Sequence, residues 1–202
     1  TLEGGGAEKQ LAILASEQCK KGHCVHIGLR RGGKNKSLLN DSVVIYYLGD
    51  YKSLDPRLFL SIFRLVRKIK PSIIQTWLTQ MDIVGGFVGV ISKIPWVMTE
   101  RTSAQYYLSK KPLVYVRNFL SKRARYIVAN SSEGADYHIS HGKPPHKCKI
   151  IFNSVDIESI QNKRKFNLNN KHTILVVGRL VKSKNHKTII KSILLLKDKD
   201  NI

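Results

Sequence analysis

Short apolar runs alternate along the chain with longer segments in which apolar residues recur every three or four positions. A short run is typical of a buried strand, and the longer spacing is typical of a helix that packs one face on a sheet. The predicted strands are Cys24–Leu29, Val43–Leu48, Ile73–Trp77, Trp96–Glu100, Tyr126–Asn130, Lys149–Phe152 and Thr173–Val177. The predicted helices are Ala7–Lys21, a segment capped by Asp55 that runs from Pro56 to Pro71, Met81–Lys93, Pro112–Ala124, Ser132–His141 and Lys184–Lys197. The alternation predicts an α/β fold with a mainly parallel sheet and helices on both faces.

The Asn- and Lys-rich stretch 156–171 has no hydrophobic periodicity and is predicted to be a solvated linker. It separates a first domain, residues 1–155, from residues 172–202, which hold one more predicted strand and helix. Because a single strand–helix unit cannot bury its own faces, residues 172–202 are expected to begin a second, truncated domain. The first domain is expected to lack its first strand, since only Thr1-Leu2-Glu3 precede a glycine run that should follow a strand.

Two segments have the composition of anion sites. Gly4–Gly6 directly precede a predicted helix, and glycines let a backbone approach a phosphate at the positive end of a helix. Gly178 breaks the last predicted strand, so Arg179 and Lys184 follow at the carboxyl edge of a sheet, where α/β proteins bind ligands. Each signal is weak alone, because triple glycine is common in flexible turns and the chain contains 35 lysines and arginines.

Five segments, in order along nearly the whole chain, resemble motifs of the family 4 glycosyltransferases, which are GT-B proteins. Gly5-Gly6-Ala7-Glu8 resembles their Gly-Gly-Ala-Glu opening, and Gly178-Arg179-Leu180 with Lys184 resembles the Gly-Arg-Leu…Lys entry to their second domain. Ile73–Gly86, Ile127–Ser132 and Ile150–Asp156 resemble, in turn, a Trp-…-His-Ala-Asp-Leu-Leu-Gly-Gly segment, a Val-Val-Ala-Asn-Ser-Glu segment and an interdomain Val-Ile-Asn-Gly-Val-Asp motif. Ordered recurrence of five motifs is far stronger evidence than any one of them.

The resemblance implies two Rossmann-like domains with a nucleotide-sugar donor bound between them. The sugar would pass with retention to a glycan or lipid-linked acceptor, as in surface polysaccharide synthesis, without a metal or other cofactor. Gly5, Gly6, Arg179 and Lys184 are then expected to bind the donor phosphates. Residues 172–202 would begin the nucleotide-sugar-binding domain, so the fragment alone is expected to be inactive. A nucleotide-sugar epimerase of the GT-B type is the alternative enzyme.

Departures from the family pattern affect the predicted site. Many relatives have histidine at the position of Gln80. The glutamine thus puts a neutral amide in the place of a titrating group. Arg101 is the candidate catalytic residue, in contact with donor or acceptor, and a structural capping role for the Glu100-Arg101 pair is an open alternative. Ser154 replaces the glycine of the interdomain motif. The predicted substrate-binding residues are Gln80, Glu100, Asn130 and Asn153.

The remaining composition favours a cytoplasmic globular protein. No signal peptide is visible, and the longest apolar run, Ile83–Ile91, is less than half of the roughly 20 residues that a membrane span needs. The three cysteines have no Cys-x-x-Cys spacing and are predicted to be reduced core residues. Four residues that could bind a metal lie close together in the sequence: His138, His141, His146 and Cys148. Their spacing matches no recognised metal site, so surface or helix-end positions are favoured for the histidines and a metal site is the alternative.

The net charge of +21 makes a basic nucleic-acid-binding module the alternative of a different class. No helix-turn-helix, zinc-finger or aromatic RNA-binding signature is present, so no nucleic-acid partner is predicted. The segment Arg101–Arg125 contains seven bases, no acids and interleaved aromatic residues and leucines. This pattern suits peripheral contact with the anionic inner face of a membrane. A helix Pro112–Ala124 with a solvated basic face explains the same pattern equally well.

Overall fold

The computed structural model describes residues 1–51, 55–102, 111–155, 157, 174–178, 180–181 and 184–197, without the side chains of residues 111, 196 and 197. The chain divides into two units, Thr1–Val155 and Asp156–Ile202. Among the described residues, no helix is long and apolar enough to cross a membrane.

The first unit is an α/β structure in which paired strands run parallel. Its strands over the described residues are β1 (His26–Leu29), β2 (Val44–Tyr47), β3 (Ile74–Trp77), β4 (Trp96–Glu100), β5 (Tyr126–Ala129) and β6 (Cys148–Ile150). Its helices are α1 (Gly6–Lys20), α2 (Pro56–Ile69), α3 (Thr79–Ile91), α4 (Lys111–Ser121) and α5 (Ser132–Ser140), with short 3-10 helices at Lys34–Leu38 and Pro145–Lys147. The strand β1 pairs with β2, and a second sheet has the order β3-β4-β5-β6. The predicted α/β class and parallel pairing are confirmed.

The helix α2 shows how local sequence sets the element boundaries. Asp55 caps it, because its carboxylate accepts a hydrogen bond from the backbone N–H of Arg57 at 2.8 Å. The helix ends where Lys70 turns left-handed, with φ of 50°, directly before proline. Leu58, Ile62 and Val66 are buried, so this face of the helix packs on the core.

The glycines of helix α3 let its backbone pack directly against the second sheet. A Cβ atom at Gly86 would lie 2.4 Å from the indole of Trp96, the buried residue that starts β4. At Gly89 the nearest atom, the Trp96 Cβ, would be 3.3 Å away. The indole N–H in turn donates to the hydroxyl of Thr76 at 2.8 Å, which fixes the ring under the helix. Only a glycine at position 86 permits this approach.

The second unit contains a helix, α6 (His186–Lys197), close to the predicted segment. The predicted strand Thr173–Val177 is wrong over its described part. Residues 174–177 have no strand partner among the described residues and are exposed. A strand depends on a neighbour to complete its backbone hydrogen bonds.

Replacing Gly86 by alanine should destabilise the first unit by about 1–3 kcal/mol, because the new methyl group overlaps a buried indole that is hydrogen-bonded in place. Gly89→Ala is the matched control in the same helix, where the methyl group needs only a small shift and alanine favours the helix. Urea unfolding followed by circular dichroism measures both. Equal stability of the two variants would contradict the close contact.

Candidate active site

Polar side chains follow the carboxyl ends of the parallel strands. Each lies within three residues of the end of a strand: Arg30, Asp50, Gln80, Arg101, Asn130 and Asn153. Ligands of α/β proteins bind at this edge of the sheet, since the loops that follow the strands meet there. These residues form a polar edge of the sheets, in which hydrogen bonds join Arg30 to Asp50 and Gln80, and Arg101 to Asn153.

Gln80 joins the two sheets at this edge. Its side-chain oxygen accepts a hydrogen bond from Arg30 at 2.9 Å. The same guanidinium donates to Asp50 at 3.0 Å and to the backbone carbonyl of Tyr51. The amide nitrogen of Gln80 is buried and has no hydrogen-bond partner among the described residues.

The turn that delivers Gln80 has an unusual backbone. Leu78, between β3 and α3, has φ of 72° and ψ of 152°, a conformation that suits glycine and costs other residues about 1–3 kcal/mol. Its side chain is 44% exposed, so packing of the leucine does not explain the conformation. Such outliers concentrate at functional sites, which supports this edge as the site.

Arg101 is the prominent cation of the edge. Its guanidinium carbon lies 4.7 Å from the ring centroid of Trp77, and it donates a hydrogen bond to the amide oxygen of Asn153. Its Nε has no hydrogen-bond partner, and it forms no ion pair with a carboxylate among the described residues. Burial lowers the pKa of Arg101, and the cation is therefore partly desolvated without a matching anion. The arrangement is suited to an anionic or oxygen-rich ligand.

Glu100 points in the opposite direction, into the interior. It is 1% exposed, and its Oε1 accepts a bond from the backbone N–H of Thr102 at 2.9 Å. Its Oε2 accepts a bond from Arg117 at 2.9 Å and lies 2.8 Å from Nε2 of His138. Glu100 therefore caps the backbone N–H of Thr102, and it does not pair with Arg101. Contact of Glu100 with a substrate stays a prediction.

Arg117 connects Glu100 with a second buried carboxylate. It is 1% exposed and donates from Nε to Asp82 at 2.8 Å. The other oxygen of Asp82 accepts a bond from Thr76 at 2.7 Å. Burial raises the pKa of Asp82 to about 6, although Arg117 and Thr76 favour its ionised form. This buried network holds α3, α4 and β4 together directly behind the polar edge.

His138 is the neutral member of this network. Burial lowers its pKa, and Glu100 opposes the shift only in part. With Glu100 ionised, the neutral ring donates through Nε2, while its Nδ1 is buried without a partner among the described residues. Protonation would bury an unpaired N–H, which agrees with the direction of the shift.

The glycine loop is already occupied by a carboxylate of the chain. The backbone N–H groups of Gly4 and Gly5 donate to Glu8 at 3.0 and 2.7 Å, and Thr1 donates to the other oxygen. Burial raises the pKa of Glu8, but these hydrogen bonds outweigh it and lower the pKa overall. The loop thus offers oxyanion-binding amides, and a phosphate at Gly5 and Gly6 would meet Glu8. Phosphate binding by Gly5 and Gly6 stays a prediction.

The segment after β6 is attached to α1. The amide of Gln10 bonds both the backbone N–H and the carbonyl of Ser154, each at 2.8 Å, and accepts a further bond from the serine hydroxyl at 3.0 Å. Ser154 is not among the residues with positive φ, so the loss of the family glycine causes no strain. The substitution instead supplies a hydroxyl that strengthens the attachment.

Not every predicted residue has a contact that assigns it a role. Asn130 is half-buried after β5, with no such contact among the described residues. Lys184 is exposed in the second unit, and Arg179 lies outside the described residues. Among the described residues, no group of three histidine, cysteine or acidic side chains is placed to hold a metal ion.

Sequence reasoning missed Arg30 and the buried roles of Arg117 and His138. Arg117 lies in the acid-free segment that suggested a basic surface, and no local pattern distinguishes the buried base from its exposed neighbours. The sequence did contain a signal that Asp82 is buried. This acidic residue is followed by an apolar run and two glycines, and it lies on the buried face of its helix.

The fold and the site together define a class of protein: a Rossmann-like α/β domain of the GT-B type. The chain is similar to crystal structures of Anabaena HepE in complex with UDP, with TM-score 0.65 and 22% identity over 78% of this chain and 43% of HepE. The complex with UDP-glucose gives TM-score 0.63 and 20% identity over the same shares. MurG of Acinetobacter baumannii gives TM-score 0.55 and 16% identity, over 76% of this chain and 43% of MurG. At these identities the likeness concerns the fold.

The sequence pattern of glycosyltransferase family 4 matches residues 4–159, and the chain belongs to this family. The membership predicted from five ordered motifs is confirmed. A UDP-N-acetylglucosamine 2-epimerase has the same fold, with TM-score 0.56 and 14% identity, over 72% of this chain and 44% of the epimerase. No curated protein is similar enough to the chain to count as a match. The chain spans less than half the length of these solved structures.

The neutral state of His138 predicts a pH dependence of folding stability. Its pKa in the folded protein is below the ordinary value of about 6.5, so as pH falls below 6.5 the unfolded chain binds a proton that the folded protein excludes. The free energy of unfolding should therefore decrease as the pH decreases below 6.5, by at most about 1.4 kcal/mol per pH unit. Asp82, whose pKa is raised, acts in the opposite direction below pH 6, so variants must be compared with the wild type.

His138→Gln keeps a donor for Glu100 and removes the titration, so the wild type should lose stability relative to this variant between pH 7 and pH 5. The variant His23→Gln, at an exposed position that does not act on His138, should keep the wild-type dependence. Urea midpoints at each pH measure the effect. Parallel curves for the wild type and His138→Gln would show that His138 is not held neutral.

Proposed function

We propose that the protein is a glycosyltransferase, which moves a sugar from a nucleotide-sugar donor to a glycan or lipid-linked acceptor with retention. The observation that carries this proposal is Arg101, a partly desolvated cation without a carboxylate partner among the described residues, at the carboxyl edge of a family 4 domain. Solved structures of the same fold in complex with UDP and UDP-glucose support a nucleotide sugar as the donor.

In the proposed reaction the bond between the anomeric carbon and the donor diphosphate breaks as an acceptor hydroxyl bonds to that carbon and releases its proton. The difficult event is the departure of a diphosphate with growing negative charge. Arg179 and Lys184 would stabilise this charge, and the backbone N–H groups of Gly5 and Gly6 would be further donors once the Glu8 carboxylate has left Gly5. Arg101 would contact the donor or the acceptor from the first unit, and Asn153 holds its guanidinium in place. Asn130 is the remaining proposed substrate contact.

The residue at position 80 limits the chemistry available at this edge. An amide has no pKa in the physiological range, so Gln80 is proposed to bind the substrate and not to transfer a proton. Acid–base catalysis at this position, possible for relatives with histidine, is excluded from the proposed mechanism. No metal ion is required by it.

An epimerase is the second candidate, because a UDP-N-acetylglucosamine 2-epimerase has the same fold. Product analysis after incubation with UDP-glucose and a mixture of acceptor glycans distinguishes the two. Transfer yields free UDP and an extended glycan, whereas epimerisation returns an altered nucleotide sugar.

The phosphate-binding role of Arg179 and Lys184 predicts large effects of substitution in the full-length protein. Arg179→Ala and Lys184→Ala should each lower kcat/KM about ten- to a hundredfold, as expected for the loss of about 1.5–3 kcal/mol from a charge-assisted hydrogen bond. Lys187→Ala is the matched control, since this exposed base lies near Lys184 in the sequence. Steady-state transfer from UDP-glucose is the measurement, and unchanged kinetics in both variants would reject the assignment.

The surface of α4 supports a location at a membrane. Tyr115 is 72% exposed and Phe119 is 65% exposed, four residues apart on one helix face. Arg123 lies 5.9 Å from the Phe119 ring, and Lys122 is exposed beside it. Exposed aromatic residues flanked by cations are typical of contact with anionic lipid. Arg117 does not contribute to this surface, because it is buried.

Vesicles of phosphatidylglycerol and phosphatidylcholine should therefore bind the protein, in a manner weakened by salt, and vesicles of phosphatidylcholine alone should not. The double variant Lys122→Gln/Arg123→Gln should lose about 2 kcal/mol of binding, roughly 30-fold, whereas Lys20→Gln/Lys21→Gln on α1 should bind like the wild type. Vesicle sedimentation measures both. Equal binding to the two vesicle types, or stronger competition by duplex DNA, would favour a nucleic-acid-binding function instead.

A further inference from the structure

Arg30 is placed to control one substrate-facing group, the side-chain amide of Gln80. It follows β1 directly and its side chain is 22% exposed. Its two terminal nitrogens bind three acceptors on two segments: the Gln80 oxygen at 2.9 Å, and on the loop after β2 the Asp50 carboxylate at 3.0 Å and the Tyr51 carbonyl. The guanidinium is thereby fixed from both sheets, and it is not used by the proposed transfer chemistry.

The contact with Arg30 determines which way the Gln80 amide points. A guanidinium has five N–H donors and no acceptor, so it binds only the oxygen of the amide. The nitrogen must then point away from Arg30. This nitrogen is buried and has no partner among the described residues, although buried donors are nearly always paired. The edge therefore offers an oriented N–H₂ group that lacks an acceptor.

We propose that Arg30 is a positioning residue, which holds Gln80 so that its amide donates a hydrogen bond to a hydroxyl or ring oxygen of the donor sugar. The inference rests on the proposed function in that it takes Gln80 to meet a nucleotide sugar. A glutamine without this contact would present either its oxygen or its nitrogen. With Arg30 in place, position 80 is a donor at every physiological pH, because the amide has no titrating group.

The neighbouring Arg31 provides a matched control. It also bonds Asp50, at 3.2 Å, but its side chain is 57% exposed and it makes no hydrogen bond to Gln80. Arg30→Met and Arg31→Met thus remove the same charge from adjacent positions with the same carboxylate partner. Only the first variant releases the Gln80 amide.

The first measurement is binding of UDP-glucose to the full-length protein by calorimetry. Arg30→Met should weaken binding about tenfold, and Arg31→Met should stay within about twofold of the wild type. Gln80→Glu should weaken binding at least as much as Arg30→Met, although a glutamate still binds Arg30, because a carboxylate has no N–H to donate. Similar affinities of Arg30→Met and Arg31→Met would overturn the positioning role.

The second measurement observes the amide directly and does not depend on stability or turnover. In protein labelled with ¹⁵N-glutamine, the Gln80 side-chain resonance is assigned by its loss in Gln80→Glu. It should shift on addition of UDP-glucose, and in the free protein it should change in Arg30→Met but not in Arg31→Met. An unchanged resonance in Arg30→Met would overturn the inference. Failure of the wild type to bind UDP-glucose would instead reject the proposed donor and the sugar contact together, whereas the resonance of the free protein would still report the orientation.

Discussion

The ion pairs of Arg117 with Asp82 and Glu100 are the constraint on which the site depends. One guanidinium on α4, 1% exposed, binds a carboxylate on α3 and a carboxylate at the end of β4. Burying three charged groups is costly, and removing one partner from such a group typically destabilises a protein by about 3–5 kcal/mol, because the remaining charge stays buried. The arrangement therefore tolerates little movement of the three elements relative to one another.

This constraint reaches the polar edge by two short routes. Glu100 binds the backbone N–H of Thr102, so it sets the path of the chain on both sides of Arg101 and leaves that side chain to extend over Trp77. Asp82 binds Thr76 and Arg117, and it fixes the first turn of α3, which carries Gln80. The unfavourable backbone of Leu78 persists between two such anchored elements. Interior charges thus position residues that they do not contact.

Much of the fold was predictable from sequence because its signals are local. Asp55 before Pro56 is a local signal for the start of a helix, and Ile74, Thr76 and Trp77 are residue types that favour strands. The predicted strand Thr173–Val177 failed over its described part because a strand also depends on a neighbour. Gln80, Arg101 and Asn153 were predictable, since each lies within three residues of the end of a strand. Arg30 occupies such a position too and was missed, as was Arg117, because hydrogen bonds to residues 50 and 35 positions away, respectively, decide which of many bases is functional.

The two arginines Arg101 and Arg117 show how the same side chain takes opposite roles. Arg117 is enclosed by carboxylates, so its charge is compensated within the protein and no ligand can reach it. Arg101 has an aromatic face and a neutral amide as its partners, which support a cation but do not neutralise it. Glu100, the nearest carboxylate in the sequence, is turned inward, because Arg117 and Thr102 bind it. The burial of one charge therefore keeps the adjacent one available, because Arg101 has no carboxylate partner among the described residues.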